Sequence, residues 1–397
     1  MRRIYMDNSA TSFPKPPGVA EAMARFAAEC GASAGRGAYD EAKACGEMIA
    51  ESRRLVAELI GAESPDRIVF TLNCSEALAI GIRGLLNTAR DAHAVTTVMD
   101  HNSVLRPLTA LAEQTGLDAT WVRADPITSL VRPDDLRDAI RPNTRLVAVA
   151  HCSNVTGSLQ PVAEIAAIAR QANVPCLIDA AQSVGHVPID VQAWGADMVA
   201  FPGHKGALGP LGTGVLYVRP GFEDQLATMK EGGTGTVSEE PRQPQTMPDK
   251  LEIGSHNAIG IAGLAAGVRW LLGRGIDHLR RHDMELCGAF LAAARADGLT
   301  VYGPTHLAAR CGVFSVSIAG LKPYELAGVL ETRYGILTRP GLHCAPLAHK
   351  AIGTFPAGTC RLSFGAFTTA DDVRFAAAAL AEIAAAVRAG TGRAGEG

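Results

Sequence analysis

Short apolar runs alternate with helix-period stretches between Arg67 and Lys205, and this pattern constrains the 397-residue chain more than any other feature. Arg67–Phe70 reads as a strand and Ala77–Leu86 as a helix. Val95–Met99 and Arg145–Ala150 are further apolar runs, and the helical stretch Pro161–Ala172 leads into another that ends at Asp179. Strands separated by helical crossovers pair in parallel and are buried on both faces, so the expected architecture is a mostly parallel α/β sheet covered by helices. The length exceeds one simple core, and a second, smaller domain is expected. A net charge of −3 carries no nucleic-acid footprint. No apolar run is long enough to span a bilayer, and Asp7 and Asn8 interrupt the N-terminal stretch before a signal-peptide core can form. With nine scattered cysteines, these features predict a cytoplasmic protein with reduced thiols and no membrane partner.

The chemistry concentrates in Gly195–Val218, GADMVAFPGHKGALGPLGTGVLYV. Two apolar runs, Met198–Phe201 and Val215–Val218, flank a loop in which Lys205 stands between Gly203, His204 and Gly206. A loop lysine is ordinarily a solvated surface group. Here the glycines let the backbone close in, so that the amine can lose its proton and form a Schiff base. One βα unit earlier, VPCLIDAAQSVG places Asp179 at the end of a buried run, with Gln182 just beyond. An acid there is a common helix cap, but it also lies where open α/β sheets bind ligands. A carboxylate that keeps a pyridinium nitrogen protonated, paired with a Schiff-base lysine, is what pyridoxal 5′-phosphate (PLP) requires.

On these residues the chain resembles the class V branch of fold-type I PLP enzymes, and more narrowly the cysteine desulfurases and selenocysteine lyases, in motifs running from Asp7 to about Asp372. The resemblance implies a large PLP-binding domain at 15–260 and a smaller α+β domain built from 1–14 and 261–397. Thr71–Glu76 turns a strand into a helix, a phosphate-cup geometry in which Ser75 adds its hydroxyl and Cys74 lies beside it; a plain serine N-cap is the compatible alternative. In the family pattern, His101 of DHNSVLRPL stacks on the pyridine ring and relays protons. Gln182 and Asn154 meet the ring oxygen, Asn154 also meets the substrate carboxylate, and Ser9, Ala10 and Thr11 line the substrate site. Arg361 in GTCRLSFG clamps the α-carboxylate, and Ser255 in LEIGSHN reaches the phosphate of a neighbouring subunit, which implies a homodimer. Pro202 stands where relatives often carry a hydroxyl residue, so His204 and Ser75 take more of the anion binding. Arg36 matches a family feature, while Tyr39 stands where relatives often have histidine.

A second loop, LTRPGLHCAPL, carries Cys344 five residues after Arg339. Free cysteines are generally buried structural groups, whereas a basic, glycine-rich loop favours the thiolate. A zinc reading of His343, Cys344 and His349 lacks a fourth ligand and any C-x-x-C pair, so no metal is expected. The resemblance implies that Cys344 takes sulfur from the substrate as a persulfide. The expected activity is conversion of L-cysteine to L-alanine, with L-selenocysteine an equal alternative, followed by sulfur delivery to an acceptor protein, as in iron–sulfur cluster assembly. Two rivals stay open. Another class V reaction (transamination, epimerisation or β-elimination) would need no thiol. A non-catalytic PLP-binding regulator would not be expected to keep Lys205.

Overall fold

The computed structural model describes residues 2–34, 37–87, 89–237 and 239–390. After a short strand β1 (Ile4–Tyr5), seven strands build one sheet: β2 (Ile68–Thr71), β3 (His93–Thr97), β4 (Asp118–Val122), β5 (Thr144–Ala150), β6 (Cys176–Asp179), β7 (Met198–Pro202) and β8 (Gly214–Val218). Their order is β2-β8-β7-β6-β5-β3-β4, and β8 alone runs opposite to the other six.

Side chains alternate across the pleat and feed two cores. Val147 and Val149 of β5, Ile178 of β6 and Val199 of β7 face one side, under the helices Asp40–Ile60, Val162–Gln171 and Ala258–Arg274. Leu146 and Ala148, Leu177, Met198 and Ala200 face the other, under Cys74–Leu86 and Asn102–Thr115. Burial on both faces explains why these strands read as unbroken apolar runs. Strands β7, β6, β5 and β3 are consecutive in the sheet, so their carboxyl ends bring Lys205, Asp179, Asn154 and His101 to one edge.

The smaller unit has strands β9 (Leu299–Val301), β10 (Val313–Ile318), β11 (Ile336–Leu337), β12 (Arg339–Gly341) and β13 (Thr359–Ser363). Four of them form an antiparallel sheet in the order β12-β13-β10-β9, while β11 pairs in parallel with β1. Phe290, Phe314, Leu362, Phe364 and Leu380 fill its core, and Ile4 and Met6 join them from the N-terminus.

The helix Ala258–Arg274 departs from the division at 260 read in the sequence. Its residues Ile261, Leu264, Val268 and Leu271 enter the core of the large sheet. A small-residue face allows this, because a Cβ at Gly267 would lie 2.8 Å from the Leu208 backbone. The next helix, Ile276–Ala293, begins after Gly275 and sends Leu286 and Phe290 into the small core. Its first turn still packs on the large core through Ile276 and Leu279, so the packing divides within this helix, between Leu279 and Leu286. Among the described residues, no single helix is long and apolar enough to cross a membrane.

Candidate active site

Lys205 follows β7 in a loop with little freedom of backbone. A Cβ on Gly206 would fall 1.9 Å from the Val184 carbonyl oxygen, so only glycine fits there. The Lys205 amine shares a cavity with Asp179, Cys74, His101, Gln182 and His204. Burial lowers its pKa, and Cys74 and Asp179 oppose that shift. Asp179 ends β6, where its Oδ1 accepts the Ala181 N–H at 2.8 Å and faces the Cys74 thiol at 3.7 Å. Burial raises the Asp179 carboxyl, against the Ala181 N–H and the Lys205 charge. Burial, followed by Asp179, also pushes the Cys74 thiol far up, so Cys74 serves as a thiol donor and not as a nucleophile.

His101 caps the helix Asn102–Thr115, with Nδ1 accepting the Ser103 N–H at 3.0 Å. That bond places the ring proton on Nε2. Burial lowers the His101 pKa to about 4, with Lys205, Arg339, Arg361 and Arg106 adding to the effect, so the ring is neutral across the physiological range. Ser75 lies in the first turn of the helix Cys74–Leu86, its Oγ 2.6 Å from Ser103 Oγ, and the helix is capped by Asn73 accepting the Glu76 N–H at 3.0 Å. His204 Nδ1 is buried without a protein partner on the wall of the same cavity. First-turn N–H groups, the Ser75 hydroxyl and that unpartnered imidazole make one end of the cavity suited to an anion. The other end offers a buried carboxylate, an amine and a flat ring. This donor set fits PLP: Asp179 for the ring nitrogen, Lys205 for the aldehyde, His101 for the ring face, and Ser75 with His204 for the phosphate.

Beside the cavity, Gln182 Nε2 donates to the Ser9 carbonyl at 3.0 Å, and the Ser9 N–H donates to Ser363 Oγ at 2.9 Å. Ala10 follows in the same turn, its N–H on the Asp7 carbonyl at 3.0 Å. Arg361, only 1% exposed, sits on β13 opposite Arg339 of β12. Its Nη2 pairs with Asp7 Oδ1 at 2.8 Å, its Nη1 donates to the Asn154 carbonyl at 3.1 Å, and its Nε is buried without a partner. The guanidinium thus keeps an uncommitted donor for a carboxylate.

Asn154 lines the Lys205 cavity, and its Nδ2 donates to the His343 carbonyl at 2.5 Å. The Asn102 N–H donates to the Cys344 carbonyl at 2.8 Å. These two bonds hold a turn in which His343 (φ 50°) and Cys344 (φ 59°) are both left-handed, a conformation costing non-glycine residues about 1–2 kcal/mol each. The Cys344 loop of the small unit is therefore fixed against the residues that follow His101. Of the nine cysteines, Cys344 is the exposed one. His343 and His349 are buried behind it, lowered by burial to about 2 and about 4. Among the described residues, no cluster of three or more His, Cys, Asp or Glu could hold a metal.

Ser255 does not join this assembly within one chain. It is exposed and lines a separate cavity with Glu76, Lys230 and His256. Arg36 lies outside the described residues, and Tyr39 is exposed. Two side chains at the site escape sequence reasoning. Asp7 meets Arg361 across 354 residues, and Lys15 meets the His204 carbonyl across 189. The only local signal for either is their place in a proline-rich, irregular opening.

Comparison with known proteins decides the family. The model described as aminotransferase class-V matches residues 4–375. The chain belongs to the class-V aminotransferase family. A probable cysteine desulfurase of Methanothermobacter thermautotrophicus is 38% identical to this family member over 387 residues, 96% of this chain and 94% of the relative. A cysteine desulfurase of Yersinia pseudotuberculosis serotype O:1b is 32% identical, over 93% of this chain and 90% of its own length. Among solved structures, apo cysteine desulfurase from Thermococcus onnurineus NA1 superposes with a TM-score of 0.91 at 34% identity, covering 96% and 95% of the two chains. The S-sulfonic acid form of the Escherichia coli cysteine desulfurase CsdA gives 0.84 at 28% identity, covering 96% and 94%. The sandwiched, mostly parallel sheet with a smaller C-terminal unit is the fold-type I arrangement of class-V aminotransferases.

Proposed function

We propose that this class-V family member is a PLP-dependent cysteine desulfurase that converts L-cysteine to L-alanine and retains the sulfur as a persulfide on Cys344. The observation that carries the reading is the exposed thiol of Cys344, held in a left-handed turn at the start of the His101 helix. Lys205, Asp179, His101, Gln182, Ser75 and His204 would hold the cofactor. When bound, PLP supplies an electron sink that activates the bonds to the substrate α-carbon.

The chain's own groups do the rest. Arg361, with Arg339 beside it, binds the α-carboxylate. Lys205, whose pKa burial lowers, takes the α-proton. His101 holds a proton at Nε2. The Cys344 sulfur attacks the substrate sulfur, so an S–S bond forms as the carbon–sulfur bond breaks, and the freed carbon gains a proton to become the alanine methyl. Lack of any need for a thiol sets transamination, epimerisation and simple β-elimination apart.

The reading extends to L-selenocysteine, whose selenol leaves carbon with less help from Cys344. It includes a homodimer in which Ser255 reaches the phosphate held by a second copy, a cytoplasmic setting, and a sulfur-acceptor protein that docks at Cys344. The test is incubation with each substrate, with alanine, sulfide and selenide quantified. Wild type should release alanine from cysteine. Cys344→Ala should bind PLP, lose cysteine turnover by at least about a hundredfold, consistent with loss of a nucleophile, and lose selenocysteine turnover less. Unchanged alanine production from cysteine in Cys344→Ala would overturn the assignment.

A further inference from the structure

Four donors converge on one backbone oxygen next to Lys205. The His204 carbonyl accepts the Ser12 N–H at 3.0 Å, the Thr11 hydroxyl at 3.1 Å, the Ser12 hydroxyl at 3.2 Å and the Lys15 ammonium at 2.8 Å. A carbonyl oxygen has two lone pairs, so four donors crowd it. The ammonium is the only charged donor among them and makes the shortest contact. That carbonyl belongs to the peptide unit whose nitrogen is Lys205's own. Fixing the oxygen fixes the plane from which the Lys205 side chain departs.

Lys15 is an odd choice for mere packing. Burial lowers its pKa to about 8, and among the described residues it forms no ion pair with a carboxylate. A cation drawn away from water without a counter-charge costs stability, and an apolar residue would fill the space without that cost. Its recipients are Ser12 Oγ at 2.7 Å and the His204 carbonyl. The far side of Lys205 is held as well, because the Leu208 N–H donates to the Lys205 carbonyl at 2.9 Å and Gly206 lies against Val184. The side chain is what remains free to move.

We propose that Lys15 is a positioning residue for Lys205: its ammonium clamps the His204 carbonyl and so sets the direction from which the Lys205 amine meets the aldehyde of PLP. This rests on the reading of Lys205 as the cofactor lysine. The reaction served is condensation of the amine with the aldehyde, giving an imine and releasing water, with no oxidant or reductant. Without the cation, three neutral donors still hold the carbonyl, so the fold survives while the peptide plane loosens. The loss falls on formation of the covalent link and not on the fit of the pocket around the ring and phosphate.

The experiment uses full-length protein stripped of cofactor with hydroxylamine. PLP is added and growth of the visible band is followed in wild type, Lys15→Met and Lys15→Arg. Affinity for pyridoxamine phosphate, which fills the pocket but cannot condense with a lysine, is measured by quenching of tryptophan fluorescence. Lys15→Met should form the band at least tenfold more slowly while its pyridoxamine phosphate affinity changes less than threefold, and Lys15→Arg should recover most of the rate. Band formation within twofold of wild type in Lys15→Met overturns the proposal. So does an equal loss of pyridoxamine phosphate affinity, which would mean general damage to the pocket. If Lys15→Met does not fold, Lys15→Gln, a donor without charge, is judged by the same thresholds. A wild type that forms the band yet yields no alanine from cysteine sinks the desulfurase reading and leaves the Lys15 result standing. A wild type with no lysine-dependent band sinks both.

Discussion

Mild acid should destabilise this protein, and three buried histidines contribute most clearly. His151, His343 and His349 are 8%, 4% and 0% exposed. Burial is the largest cause in each case and lowers them to about 3, about 2 and about 4. Each also keeps a buried ring nitrogen with no protein partner, His151 Nδ1, His343 Nδ1 and His349 Nε2. In the unfolded chain they titrate near ~6.5. A group depressed in the folded state is protonated first in the unfolded one, so its stabilising contribution is whole above about 6.5 and drains away as pH falls toward the folded values. At about pH 5.5 each unfolded ring has gained ~1.4 kcal/mol while the folded rings remain neutral, roughly 4 kcal/mol for the three. The sum depends on the unfolded value alone once the folded value lies well below the working pH. Asp100, raised to about 6 by burial, runs the other way: the folded state takes its proton first and returns roughly 1 kcal/mol. These four groups together lose about 3 kcal/mol, a large share of a typical stability of ~5–15 kcal/mol, and His101 and His204, also lowered to about 4 by burial, add in the same direction. The assay is denaturant unfolding followed by circular dichroism at about pH 7.5 and about 5.5, on wild type and His349→Gln. The variant should show a pH sensitivity smaller by ~1.4 kcal/mol. A wild type whose stability is the same at both pH values, or a His349→Gln that keeps the full loss, would refute the argument.

Arg361→Lys replaces a fork by a point charge and should raise KM for L-cysteine about ten- to a hundredfold, the equivalent of ~1.5–3 kcal/mol of charged hydrogen bonding, read from initial rates of alanine release. Gly206→Ala would force a Cβ to within 1.9 Å of the Val184 oxygen. It should destabilise the protein by about 1–3 kcal/mol in a thermal melt and weaken the Lys205-dependent visible band.

The sheet was legible because its strands carry their pattern locally. A buried parallel strand such as VAV in β5 announces itself by composition, and the ligand edge follows from where such strands end. Lys205, Asp179 and His101 were legible for the same reason, since each sits within a residue or a few of a strand end. What escaped depends on contacts between distant parts of the chain. Lys15 looks like a solvated lysine among prolines until the His204 carbonyl comes to it. The bond from the Asn154 amide to the His343 carbonyl, 189 residues away, has no local signal either. The helix Ala258–Arg274 was placed on the wrong side of the division because its apolar, small-residue face suits either core, and tertiary packing chose between them.

The N-terminal segment has a consequence for how the protein is made. Residues 4–15 leave the ribosome well before their partners do. Thr11 and Ser12 wait 193 and 192 residues for His204, and Asp7 and Asn8 wait 354 and 355 for Arg361 and Ser363. Strand β1 waits for Ile336 and Leu337. Closing loops of that length is slow relative to local folding. A nascent chain released as far as β8 would carry Lys205, Asp179 and Ser75 but not yet Arg361 or Cys344. Residues 4–15 therefore find their place only after Arg361 and Ser363 have been made.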